Sequence, residues 1–141
     1  MAAFNKFHQF VADRANGVHN LGSHALRVLL TNVAPVAANT VRANLTQIAA
    51  GNGYPAGGVA VAVTASAQTA GVYKLVADDV VITAAGGSIG PFRYAVLYND
   101  TPTAPADPLI GWWDYGAAIT LLDGEPLTVD FSAVNGVLQD Q

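Results

Sequence analysis

Most of this chain is divided into short segments in which apolar and polar side chains alternate, separated by glycine, proline and asparagine. An alternation with period two indicates extended strands, because successive side chains of a strand point to opposite faces. Turn residues recur at the spacing typical of antiparallel sandwiches and barrels. The predicted strands occupy residues 26–31, 59–64, 72–77, 79–84, 91–99, 109–115 and 127–131.

The connections between these segments decide between a parallel and an antiparallel sheet. Parallel strands need long crossovers, which are usually helical, and no helical repeat separates the predicted strands. We therefore predict a mainly β fold, an antiparallel β-sandwich or jelly-roll-like barrel with one short N-terminal helix. Residues 1–141 are expected to form a single β-rich domain, with a helical arm at residues 1–16 and a sandwich body at residues 17–141.

The helix prediction rests on the N-terminal segment. Phe4, Phe7 and Val11 recur at three- and four-residue steps, which is the spacing of one helix face. The dipeptide Asn16-Gly17 supplies a stop signal. The pattern predicts a helix over residues 3–15, whose phenylalanines pack either on the domain's own sheet or on a neighbouring subunit.

The chain carries few charges for its size. Charged residues make up 11% of the sequence, against roughly 25% in ordinary globular proteins. A small domain has a large surface for its volume, so much of that surface must be neutral. Neutral surface gives up water at lower cost than charged surface, and interface cores are depleted of charge. We therefore expect a self-associating protein; the alternative is a monomer with a neutral surface.

The same composition argues against several partners. The net charge is −4 and no run of lysine and arginine occurs, which argues against nucleic-acid binding. No apolar run approaches the roughly 18 residues needed to cross a bilayer, and the N-terminus lacks the pattern of a secretory signal. We predict no nucleic-acid partner and no membrane partner. The absence of cysteine fits folding in a reducing cytoplasm.

We find no motif that indicates catalysis, a metal or a cofactor. His8, His19 and His24 do not match a zinc-binding spacing, and we expect His8 on the helix surface and the other two in turns or at strand ends. No serine lies in a nucleophile elbow. Asp114, beside two tryptophans, is the best candidate for a glycosidase carboxylate, although a packed aromatic strand explains it more simply. We predict a protein that is not an enzyme and needs no cofactor.

The aromatic side chains are the remaining candidates for recognition. Trp112 and Trp113 are adjacent in a predicted strand, so they must point to opposite faces. One can fill the core; the other either faces a partner, where tryptophan often dominates binding, or is covered by a second layer. A carbohydrate-binding module that uses Trp112, Trp113 and Tyr115 is an alternative. The candidate interface residues are Phe4, Phe7, Tyr94, Tyr98, Trp112, Trp113 and Tyr115.

Three blocks of the sequence resemble a known family. They are AAFNKFHQFVADRANGVHNLGSHALRVLLTN at residues 2–32, FRYAVLYND at 92–100 and LIGWWDYG at 109–116. Together they resemble small decoration (cement, or minor capsid) proteins of tailed bacteriophages, which are encoded beside the major capsid protein. The similarity spans nearly the whole chain, but the blocks are not catalytic motifs.

The resemblance implies a function and a location. It implies a homotrimeric β-sandwich on the outer surface of the capsid, assembled in the bacterial host cytoplasm, that binds between subunits of the phage major capsid protein. It identifies no contact residues. A tail or connector protein of the same virion is a second possibility, although the proline-rich segment at residues 100–108 does not favour the long hairpin of a tail tube.

Overall fold

The structure is a computed structural model that describes residues 3–131 and 136–140. Ten strands, one α-helix and one short 3₁₀ helix (Arg42–Asn44) are formed by these residues. In chain order, the strands and the α-helix are β1 (Phe4–Lys6), α1 (His8–Ala15), β2 (Leu26–Thr31), β3 (Val59–Val61), β4 (Val63–Thr69), β5 (Val72–Ala77), β6 (Val80–Thr83), β7 (Ile89–Asn99), β8 (Leu109–Leu121), β9 (Pro126–Val129) and β10 (Leu138–Asp140).

These strands form three antiparallel sheets. The largest has the order β1-β8-β7-β2-β3, the second has the order β10-β5-β4, and β6 pairs with β9. The mainly β, antiparallel fold with one short helix near the N-terminus is therefore confirmed.

The main core lies between one face of the five-stranded sheet and the two smaller sheets. Val28 of β2, Leu97 of β7 and Trp113 of β8 belong to the same buried cluster as Leu75 of β5 and Ile82 of β6. Alternate residues of β2 (Leu26, Val28 and Leu30) point into this core because a strand has a period of two. Burial of this apolar surface is the main force that holds the layers together.

The opposite face of the five-stranded sheet carries a second, smaller apolar cluster. Leu29, Val96 and Tyr98 are buried there against Phe7, and Leu45 and Trp112 pack around them. The central strands of the sheet are thus covered on both faces. This explains why β7 reads as a nearly continuous apolar run from Tyr94 to Tyr98 rather than as an alternating strand.

The predicted helix over residues 3–15 was wrong in its first turn. Residues Phe4–Lys6 form β1 and pair with β8, and α1 begins only at His8. Phe7 has an extended backbone and is fully buried in the second cluster, whereas Phe10 is buried in the main core. The three phenylalanines thus pack on two opposite faces of the sheet, Phe4 and Phe10 at the main core and Phe7 in the second cluster, so they do not form one helical stripe.

The strand that contains Phe92 also departs from simple alternation. The pattern predicted Phe92, Tyr94, Val96 and Tyr98 on one face. The register of β7 against β8 shifts between Phe92 and Tyr94, and Phe92 lies in the main core while Val96 and Tyr98 lie in the second cluster. A bulge moves every residue before it to the other face.

Strand bounds also differ from prediction elsewhere, most of all at two places. The predicted strand 59–64 is divided at Ala62, because β3 pairs with β2 in one sheet and β4 pairs with β5 in another. The strand predicted at 109–115 continues to Leu121. The loop before β3 ends at Gly58, which has a φ of 88° and lies so close to the carbonyl of Val28 that a Cβ atom would overlap it.

Candidate functional site

The aromatic residues proposed for recognition are built mostly into the two apolar clusters. Trp113 points into the main core, is 6% exposed, and packs between Phe4 at 5.2 Å and Phe131 at 5.7 Å between ring centroids. Phe4 reaches it because β1 and β8 are paired with Phe4 opposite Trp113. The contact between Phe4 and Trp113 therefore packs β1 against the main core.

Trp112 points to the opposite face, as the strand period requires. Its ring lies 4.6 Å from that of the fully buried Phe7, and it is itself half-buried at the edge of the second cluster. Of the two alternatives for the second tryptophan, the structure places a layer of the chain's own residues over it. A part of the Trp112 side chain remains accessible.

The tyrosines are anchored in different surroundings. Tyr98 is 1% exposed, its hydroxyl donates a hydrogen bond to the carbonyl of Gly57, and the guanidinium of Arg42 lies 5.5 Å above its ring. Burial raises the pKa of Tyr98 to about 12, since the phenolate loses its hydration. Tyr115 is half-buried against the edge of Phe92, and burial also raises its pKa.

The seven predicted interface residues therefore do not meet on one surface. Two of them, Phe4 and Trp113, contact each other at the main core, and Phe7, Tyr98 and Trp112 meet in the second cluster. These five predicted residues are large aromatic side chains that help to fill the two apolar clusters. Whether any of them also contacts a partner stays a prediction.

Asp114 is not placed as a glycosidase acid. Its two carboxylate oxygens accept hydrogen bonds from Nε and Nη2 of Arg93 at 2.8 and 3.1 Å, and the N–H of Gly116 donates a third at 2.7 Å. The Arg93 guanidinium, then the Gly116 amide, hold the pKa of Asp114 below its usual range. A general acid needs the opposite shift, so this carboxylate is suited to an ion pair.

Two further ion pairs have the same composition. Arg27 donates to Asp100 at 3.0 Å, and Arg42 contacts Asp107 at 3.0 Å. With Arg93 and Asp114, three of the four arginines are each matched to an aspartate. The pairs are partly exposed, so each contributes little to stability. Each pair nevertheless neutralises one positive and one negative charge on the protein surface.

A buried polar cluster joins the N-terminal loop to the end of β7. The side-chain amide nitrogen of Asn99 lies 3.0 Å from Nδ1 of His19 and 2.9 Å from Nδ1 of His24. The amide oxygen accepts a hydrogen bond from the N–H of Thr101, which fixes the orientation of the amide. Both N–H bonds of Asn99 are then directed at histidine nitrogens, so each Nδ1 acts as the acceptor.

The environment of His19 keeps it uncharged. Desolvation lowers its pKa to about 4, an effect that the nearby Asp13 carboxylate offsets only in part. Within the described residues, Nε2 of His19 and Oδ2 of Asp13 are buried without a hydrogen-bond partner. We expected His19 in a turn or at a strand end; its burial and its bond to Asn99 were missed, because nothing in the local sequence points to a residue so distant in the chain.

The carboxylates and imidazoles do not assemble into a metal site in the part of the chain described. No group of three or more histidine, aspartate or glutamate side chains comes together there in a way that could hold an ion. Residues 3–131 and 136–140 also contain no helix long and apolar enough to span a membrane.

No family model, curated protein or solved structure matches this chain. The resemblance to phage decoration proteins therefore depends on the three sequence blocks alone.

Proposed function

We propose that this chain is a non-enzymatic structural protein of a tailed-phage virion. In this proposal it binds as a homotrimer to the outer surface of the capsid, between subunits of the major capsid protein. It stabilises the shell by mass action: a protein that binds the mature lattice and not the precursor favours the mature lattice. Attachment at three points multiplies weak contacts into a stable one.

The observation that carries this proposal is the neutrality of the surface. The chain has six basic and ten acidic residues, and three arginines are already paired with aspartates. The exposed residues of β4 are alanine, serine, threonine and glutamine, without a single charge. Such a surface loses little hydration when another protein covers it, which suits a molecule whose role is to be packed against others.

The packing of the aromatic rings favours this proposal over a carbohydrate-binding module. Sugar rings stack on exposed aromatic faces that lie side by side. Trp112 and Trp113 point to opposite faces of β8, and Trp113 is buried between Phe4 and Phe131. Tyr115 packs against Phe92. No shared platform is left for a sugar among these three residues.

The test is binding to capsids of the phage that encodes the chain. The purified protein is mixed with expanded capsids and, separately, with unexpanded procapsids, and each mixture is sedimented. We expect the protein to sediment with expanded capsids alone and to raise the temperature at which they open. Density for it in an electron cryo-microscopy map should lie at the local three-fold positions.

Two results would contradict the proposal. A protein that stays in the supernatant with both kinds of shell is not a decoration protein. Density at the tail or the connector, with none on the capsid exterior, would instead establish the alternative role in the same virion.

A further inference from the structure

Strand β4 is an unusual edge strand for this fold. It has seven residues, whereas the other five strands at sheet edges among the described residues have three or four. Its sequence, VTASAQT, contains no charge and no proline. Proteins usually protect long edges with lysine, proline or an irregularity, because free N–H and C=O groups invite another strand. In β4 the one irregularity is at its start, between Val63 and Ala65.

The turn after β4 determines which backbone groups are free. Ala70 and Gly71 have φ angles of 53° and 82°, the pattern of a two-residue type I′ hairpin turn. The closing pair, Thr69 and Val72, is therefore hydrogen-bonded, and hydrogen-bonded pairs recur at every second position. It follows that the N–H and C=O groups of Ser66 and Gln68 point away from β5, toward the open edge.

We propose that β4 pairs with β4 of a second copy of this chain, antiparallel and about a two-fold axis at Ala67. This register uses the outward groups of both strands: Ser66 of one copy pairs with Gln68 of the other, and the reverse. Ala67 faces Ala67 across the axis as a pair without direct hydrogen bonds. The bulge near Val63 stays outside the paired segment.

A second copy fits this edge better than a charged segment of another protein. A two-fold contact is isologous, so the strand must be complementary to itself. Like charges opposite each other oppose pairing, and β4 has none. Its residues from Thr64 to Thr69 are exposed on both faces, and the small side chain of Ala67 leaves room at the axis.

The role given to this contact rests on the proposed capsid function, in which the contact joins neighbouring trimers. A single strand pair is smaller than the roughly 1,200 Å² at which specific stable interfaces begin, so the isolated pair is weak. On a capsid, neighbouring trimers hold copies at high local concentration, and a weak two-fold contact then becomes effective. Pairing through β4 links one trimer to the next.

Disulfide trapping tests the register directly, because the chain has no cysteine. Across an antiparallel pair without direct hydrogen bonds the Cα atoms lie about 4.5 Å apart, a distance at which a disulfide can form. We expect Ala67→Cys to form a covalent dimer under mild oxidation roughly tenfold or more faster than Ala117→Cys, since pairing raises the local thiol concentration. Ala117 is an exposed alanine in β8 and serves as the matched control.

A second variant tests the same edge by charge. In this register Ser66 of one copy lies opposite Gln68 of the other, so a mixture of Ser66→Cys and Gln68→Cys chains should also cross-link. Ala67→Lys, added to both chains, places two cations across the axis and should slow this trapping, whereas Ala117→Lys should not. Equal cross-linking of Ala67→Cys and Ala117→Cys would overturn the pairing of β4 even if the protein binds capsids. Selective cross-linking without capsid binding would keep the β4 contact and reject the decoration role.

Discussion

The side chain of Asn99 lies within hydrogen-bonding distance of the ring of His19, at 3.0 Å between Nδ2 and Nδ1, although 80 positions separate the two residues in the chain. His19 belongs to the loop that follows α1, and Asn99 is the last residue of β7. The bond therefore joins the N-terminal segment to the end of the central strand of the largest sheet. Its dependence on a neutral histidine connects this junction to pH.

The first prediction concerns acid. The pKa of His19 is about 4 in the folded chain and near its ordinary 6.5 when unfolded, so between these values the unfolded chain binds the additional proton. Stability from this group is complete above pH 6.5 and is lost as the pH falls toward 4, by about 3 kcal/mol at most.

Denaturant unfolding at pH 7 and pH 4 measures this loss. His19→Asn keeps a hydrogen-bond acceptor for Asn99 but cannot be protonated, so its free energy of unfolding should fall less between the two pH values than that of the unmodified chain. His8→Asn, at an exposed position of α1, is the control and should follow the unmodified chain. Equal losses in all three proteins would contradict the prediction.

The second prediction concerns the amide that holds the two histidines. Asn99 is fully buried, and Asn99→Ala leaves the two Nδ1 atoms and the N–H of Thr101 without that partner. The free energy of unfolding should fall by about 2–3 kcal/mol at neutral pH. Asn32→Ala, at an exposed position, should change it by less than about 0.5 kcal/mol. A similar small change in both variants would show that the cluster is not stabilising.

The third prediction separates the two tryptophans. Trp113→Ala opens a cavity in the main core and should cost about 3–5 kcal/mol in unfolding free energy. Trp112→Ala removes a half-buried ring from the second cluster and should cost clearly less. Thermal or denaturant unfolding compares the two directly. If Trp112→Ala were the more damaging change, the second cluster would matter more than its burial indicates.

The fourth prediction uses two glycines with similar backbone angles. Gly58 has a φ of 88° and Gly17 a φ of 80°, so alanine is strained at both. At Gly17 no atom lies within 4 Å of the added Cβ, and the strain should cost about 1–2 kcal/mol. At Gly58 the Cβ overlaps the carbonyl of Val28, so Gly58→Ala should destabilise much more, by separating β3 from β2. Equal melting temperatures for the two variants would contradict this argument.

Much of the fold could be predicted from local patterns. The strands at residues 26–31 and 72–77 have the predicted bounds, and a third, predicted at 109–115, begins at Leu109 as expected. Period-two alternation and turn residues are local signals, read from residues a few positions apart, and they are enough to locate a strand. The opposite orientation of Trp112 and Trp113 follows from the same local geometry and is confirmed.

The errors came where a distant partner decides the local conformation. Phe4 belongs to β1 because β8 offers an unpaired edge beside Trp113, and that pairing outweighs a helical spacing of aromatic residues. The face of Phe92 depends on a bulge against β8 that alternation cannot reveal. The candidate interface residues were predicted from their aromatic character, and most of them fill the two apolar clusters.

Local sequence is enough to specify a mainly β, antiparallel chain with few charges, because strand periodicity and composition are properties of neighbouring residues. The tertiary structure alone decided that His19 and His24 meet Asn99, that three arginines meet aspartates, and that β4 is left at an edge. Each of these depends on which strands pair and in what register. That choice is made by the burial of the whole apolar core, to which every segment contributes and which no single segment encodes.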